Sequence, residues 1–125
     1  MADDPVPKHL RDFIARHIDS VAELEALLLL RNNPAESWSG DLVAKRLYIA
    51  PAEALEILAH LCRDGLLSCE NQVFRYDCAT PELRQTVDEL ADNYRRQLIP
   101  ITKLIHAKPR RIRAFADAFK FTKDP

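Results

Sequence analysis

The chain has 125 residues, 47% of them hydrophobic and 30% charged, with a net charge of -1 at pH 7. Such a length suits one compact domain plus an added helix or two, and such a composition is an ordinary soluble balance. A net charge this close to zero excludes a global field that would draw the chain to nucleic acid or to an anionic membrane.

The charge is unevenly spread. Residues 20 to 79 carry five Lys/Arg (Arg31, Lys45, Arg46, Arg63, Arg75) against nine acids, a balance of -4. Residues 80 to 125 carry ten Lys/Arg against six acids, a balance of +4. An acidic module therefore precedes a basic tail. The opening MADDPVPKHL has no signal-peptide hydrophobic region, and the aliphatic run from Ala26 to Leu30 is too short to span a bilayer. A cytoplasmic location is expected. Three cysteines, Cys62, Cys69 and Cys78, with no CxxC spacing, are expected to be free thiols in that compartment.

Pro5 and Pro7 mark a frayed start. From Lys8, the apolar positions Leu10, Phe13, Ile14 and Ile18, with His17 between, follow the spacing of an amphipathic helix. Ser20-Val21-Ala22-Glu23 is a capping box that starts a second helix, whose buried stripe is Leu24, Leu27, Leu28 and Leu30. Pro34 ends it by keeping Asn33 out of the α region. Glu36-Ser37-Trp38 is a short strand candidate, with Trp38 expected to be buried.

Ser39 caps the next helix, with Leu42, Val43 and Leu47 expected inward and Lys45 and Arg46 outward. Tyr48-Ile49-Ala50 is a tight turn, and Pro51 suits the first position of the helix that follows. That helix is expected to bury Ala54, Leu55, Leu58, Leu61 and Cys62 and to stop at Gly65 in a left-handed cap. A hairpin with a turn at Asn71-Gln72 pairs Leu67 with Tyr76 and Cys69 with Phe74 on one apolar face. Ser68 with Arg75 and Glu70 with Val73 fall on the other, and a one-residue slip would break this split. Asn71 suits a type I′ turn, whereas Gln72 stands where Gly is preferred.

Thr80-Pro81-Glu82 opens a long helix with the stripe Leu83, Val87, Leu90, Tyr94, Leu98, Ile101 and Ile105. A continuous helix to Ala107 would be roughly 40 Å long at ~1.5 Å per residue. Pro100 should kink or split it near Arg96, and Pro109 should stop it. A last helix is expected to carry Ile112, Phe115, Ala116 and Phe119 on one face.

Chemistry-bearing motifs are sparse. His60 and Cys62 are two apart on one helix and point in nearly opposite directions, so they make a poor metal pair. With only Gly40 and Gly65, no phosphate-cradling loop is possible. No catalytic residue, metal or cofactor is expected, and the chain does not read as an enzyme. Cys62 and Cys69 are expected in the core.

The order of elements from Ser20 to Asp77 reads as mainly α, a winged helix-turn-helix with a short two- to three-stranded wing sheet and a long C-terminal helical arm. The expected organisation is residues 1–19 as tail and amphipathic helix, 20–79 as the winged helix-turn-helix, and 80–125 as an arm that dimerises. The segment LEILAHLCRDGLL resembles the pattern in which a recognition helix runs through a Gly into the first wing strand. The C-terminal helix is similar to the dimerisation helices of MarR-like bacterial regulators, whose wings are longer and more basic than this one. That resemblance implies a cofactor-free transcriptional regulator that binds DNA as a homodimer.

The candidate DNA contacts are Lys45, Arg46 and Arg75 on phosphates and Glu53, Glu56, His60 and Arg63, with Pro51, Ala52 and Ile57, facing the groove. Lys108, Arg110, Arg111 and Arg113 form a second basic patch beside His106. The candidate dimer contacts are Leu83, Val87, Leu90, Tyr94, Leu98, Ile101, Ile105, Phe115 and Phe119; the alternative for the stripe from Leu83 to Ile105 is a cover over the winged-helix core. Two acids in the groove-facing set repel phosphate, so the alternative is a winged helix that has lost DNA binding and docks a basic protein on Glu53 and Glu56.

Overall fold

The computed structural model describes residues 5–107. Its elements are α1 (Lys8–His17), α2 (Val21–Asn32), α3 (Gly40–Leu47), α4 (Pro51–Arg63), β1 (Leu67–Glu70), β2 (Val73–Tyr76), α5 (Pro81–Arg96) and α6 (Leu98–Ala107). The expected caps form. Ser20 Oγ accepts from the Glu23 amide at 3.0 Å, Ser39 Oγ from Leu42 at 3.1 Å and Thr80 Oγ1 from Leu83 at 3.1 Å. Each satisfies an amide that the first helical turn leaves without a partner. In the capping box, the Glu23 carboxylate reaches back one residue further than expected, accepting from the Asp19 amide at 2.8 Å.

Gly65 stops α4 as its composition suggests, with φ +80°. The Leu66 amide donates to Leu61 O at 3.0 Å and the Gly65 amide to Cys62 O at 3.1 Å, the two bonds of a Schellman motif. The hairpin that follows has the expected register: Leu67 opposite Tyr76, Ser68 opposite Arg75, Cys69 opposite Phe74 and Glu70 opposite Val73. Asn71 and Gln72 both take positive φ, 55° and 63°, as a type I′ turn demands. Trp38 is 1% exposed and exchanges two backbone bonds of 2.8 Å with Phe74, an isolated bridge beside a sheet of two strands rather than a third strand.

The long C-terminal helix splits at Gln97, the C-cap of α5. Pro100 is the third residue of α6, where its missing amide is one of those a helix start leaves unpaired. Within a continuous helix its ring would meet the carbonyl of Arg96 instead. One apolar core runs from Val6 to Ile105 and draws on every helix and on both strands.

Several side chains lie elsewhere than the sequence pattern suggests. Leu42 and Leu55, expected inward, are 41% and 42% exposed, and Ile57, expected in the groove-facing set, is buried. The α3–α4 crossing sets this rotation. A Cβ on Gly40 would stand 2.6 Å from Leu55 Cδ2, so Leu55 sits over the start of α3 rather than beneath α4. Cys69, expected in the core, is exposed near the hairpin tip, and Cys62 is half-buried. Burial and the adjacent Cys69 push the Cys62 thiol up to about 12.

Val87, Leu90, Ile101 and Ile105, expected at a subunit contact, are each 0% exposed within the single chain. Here α5 and α6 cover α1 and the core. Leu83 and Tyr94 are half-buried against the same core, and Leu98 is exposed. Phe115, Phe119 and the basic patch from Lys108 to Arg113 lie outside the described residues.

Candidate nucleic-acid interface

The helix-turn-helix is built from α3, the turn at Tyr48 and α4. Gly40 is buried at the crossing, where any side chain would displace Leu55. Tyr48 closes α3 in the left-handed region, at φ 58° and ψ 46°, and its amide donates to Ala44 O. Its ring is 95% exposed. Pro51 then begins α4 with φ already set for a helix.

Lys45 and Arg46 are exposed at the end of α3. The Arg46 guanidinium lies 5.3 Å from the centroid of the Trp38 ring, a cation–π contact that holds it along the surface. Across the hairpin, Arg75 Nη2 donates to Ala35 O at 3.2 Å. Arg46 and Arg75 thus converge on the segment from Ala35 to Trp38. None of Lys45, Arg46, Arg63 and Arg75 is ion-paired with a described residue, in contrast to Arg31 on Asp88 and Arg95 and Arg96 on Asp92. The outer face of α4 presents Ala52, Glu53, Leu55, Glu56, Ala59 and Arg63.

His60 does not belong to that face. Its Nδ1 meets Glu23 Oε2, and its Nε2 lies 3.4 Å from Asp64 Oδ2. The same Asp64 oxygen is 2.8 Å from His17 Nδ1. Glu23 is 2% exposed. Burial raises its carboxyl above the usual range, and the bonds from the Asp19 amide and from His60 oppose that rise. With the Asp19 carboxylate, whose ligand atom lies within 4.8 Å of those of Glu23 and His60, two histidines and three carboxylates gather where α1, α2 and the end of α4 meet. The helical spacing of α4 leaves the direction of His60 open, because Glu23 is remote in sequence.

A separate cleft of about 820 Å³ runs between α2 and α5, with Leu28, Leu29, Leu47 and Leu98 among its apolar lining. Tyr94 Oη donates to Glu25 at 2.7 Å and Arg31 Nε to Asp88 at 2.9 Å, tying the two helices together beside it. No helix among the described residues is long and apolar enough to cross a membrane.

No family model matches the chain, and no curated protein matches it. Solved structures do. One is Sco5413, a MarR family transcriptional regulator from Streptomyces coelicolor, at a TM-score of 0.56 and 14% identity, covering 92% of this chain and 80% of that one. Another is RV1404 from Mycobacterium tuberculosis, at a TM-score of 0.50 and 15% identity, covering 94% and 82%. At these identities the likeness is one of architecture, and it agrees with the caps, the Gly65 junction and the hairpin register: the chain has a MarR-like winged-helix fold.

Proposed function

We propose that the chain is a small transcriptional regulator, not an enzyme, that binds DNA in the cytoplasm as a homodimer. The observation that carries this reading is a set of exposed cations, Lys45, Arg46 and Arg75, ion-paired with no described residue and set beside the outer face of α4 in a winged-helix fold. In this reading these three bind phosphates, and Glu53, Glu56 and Arg63 face the major groove. A groove-facing Glu accepts from the cytosine amino group. Lys108, Arg110, Arg111 and Arg113 add further cations along the DNA backbone, and residues 80–125 supply the dimer interface through Leu98, Phe115 and Phe119. None of these interactions needs a cofactor.

The test is a DNA titration of the purified chain at several salt concentrations. Binding is expected to weaken steeply with salt. Replacing Lys45, Arg46 and Arg75 by Ala is expected to flatten the log–log slope by roughly 0.9 for each phosphate that is no longer neutralised. If no duplex binds even at low salt, where the electrostatic attraction is largest, the regulator reading fails. The second reading is then a protein-docking winged helix. Glu53 and Glu56, exposed one turn apart and ion-paired with no described residue, favour a basic partner for it.

A further inference from the structure

We propose that Asp19, Glu23 and His60 form a binding site for a divalent transition-metal ion of the zinc class. The residues come from the α1–α2 link, the first turn of α2 and the last turns of α4, yet their ligand atoms all lie within 4.8 Å of one another. One imidazole nitrogen and two carboxylate oxygens are donors that suit zinc, cobalt or nickel, whereas magnesium and calcium prefer oxygen throughout. Three protein ligands leave a fourth position for water.

The surroundings are arranged as such a site requires. Glu23 Oε1 is held by the Asp19 amide at 2.8 Å, which turns Oε2 toward His60 Nδ1. A metal on Nδ1 leaves the proton on Nε2, which faces Asp64 Oδ2 at 3.4 Å. Asp64 is in turn fixed by His17 Nδ1 at 2.8 Å. A ligating imidazole backed by a carboxylate is the usual outer shell of a metal-bound histidine, where it sets the tautomer and strengthens the ligand. The His60 side chain is 20% exposed and the Glu23 side chain 3%, so the site has a way in and a dry floor. Occupancy would fasten α4 to the α1–α2 link from its inner side, leaving the outer face of α4 untouched. The proposal stands apart from the DNA-binding reading, because its test reads the metal directly.

The experiment is a calorimetric titration of the chelator-treated full chain with zinc chloride, repeated with cobalt chloride followed by visible absorption. The expected result is one zinc per chain at micromolar affinity or tighter, with a rise in Tm on addition of zinc. Asp19→Asn and His60→Gln should each weaken binding by at least ~100-fold, and Asp64→Asn by ~10- to 100-fold through the outer shell. His9→Ala, on the exposed pair with Glu89, should leave binding unchanged. Asp19 lies on the link outside the apolar core, so Asp19→Asn decides the matter even if His60→Gln fails to fold. The proposal is overturned if the full chain takes up no stoichiometric zinc, or if Asp19→Asn binds it as tightly as the unaltered chain.

Discussion

At the scale of single residues, Tyr48 is one of three non-glycine residues among those described that take a positive φ. A side chain in the left-handed region crowds its own backbone at a cost of roughly 1–2 kcal/mol, and a ring that is 95% exposed recovers little by packing. Tyr48→Gly should therefore stabilise the fold, by roughly 0.5–1 kcal/mol once the greater freedom of Gly in the unfolded chain is subtracted. Urea unfolding would show it as a higher midpoint at unchanged slope. If Tyr48 also touches DNA at the helix-turn-helix, the same variant binds DNA more weakly while being more stable. Other single residues differ sharply in how far the sequence reveals them. Ser20, Ser39 and Thr80 are legible as caps because each acts on an amide three residues away. His60 is not, because its direction is decided by Glu23 on another helix. Leu55 and Ile57 exchange their expected places because the close approach at Gly40, not the period of α4 alone, sets how that helix is rotated.

At the scale of elements, the junction between α4 and the wing depends on one residue. Gly65 has φ +80°, and a Cβ there would come within 3.2 Å of Ala79 Cβ. Gly65→Ala should cost roughly 1–2 kcal/mol from backbone strain, before any adjustment at Ala79, and should lower the urea midpoint by a matching amount. The register of the wing is legible: it follows from placing four apolar residues on one face, and that register forms. Its turn is legible in type but not in tolerance. Gln72 takes a positive φ because the hairpin twist demands one there, whatever its own preference. Cys69 shows the limit of the alternation rule. It shares a strand face with Leu67, yet it lies toward the tip, where it stays exposed.

At the scale of the whole molecule, the burial of Val87, Leu90, Ile101 and Ile105 within one chain changes where a second chain would attach. A periodic apolar stripe marks a surface that must be covered without saying which chain covers it. Leu98 and Ile99, 49% and 60% exposed at the break between α5 and α6, remain uncovered within the chain. If the chain dimerises there, Leu98→Glu with Ile99→Glu should turn dimer into monomer, as read by sedimentation velocity, while the fold survives because neither residue belongs to the core. A full-length chain that sediments as a monomer before any substitution would remove the dimer from the proposal.

The stack of Arg46 on Trp38 has an optical consequence. Trp38 is the chain's one tryptophan, so all indole emission arises on the link between α2 and α3, where that link bridges to Phe74 of the wing. A guanidinium 5.3 Å from the ring is part of the field that sets the emission wavelength. Drawing Arg46 away to a phosphate should change the colour or yield of that emission, and Arg46→Ala should abolish the change. The unlabelled protein thus carries its own fluorescent reporter of whether a nucleic acid has engaged the end of α3.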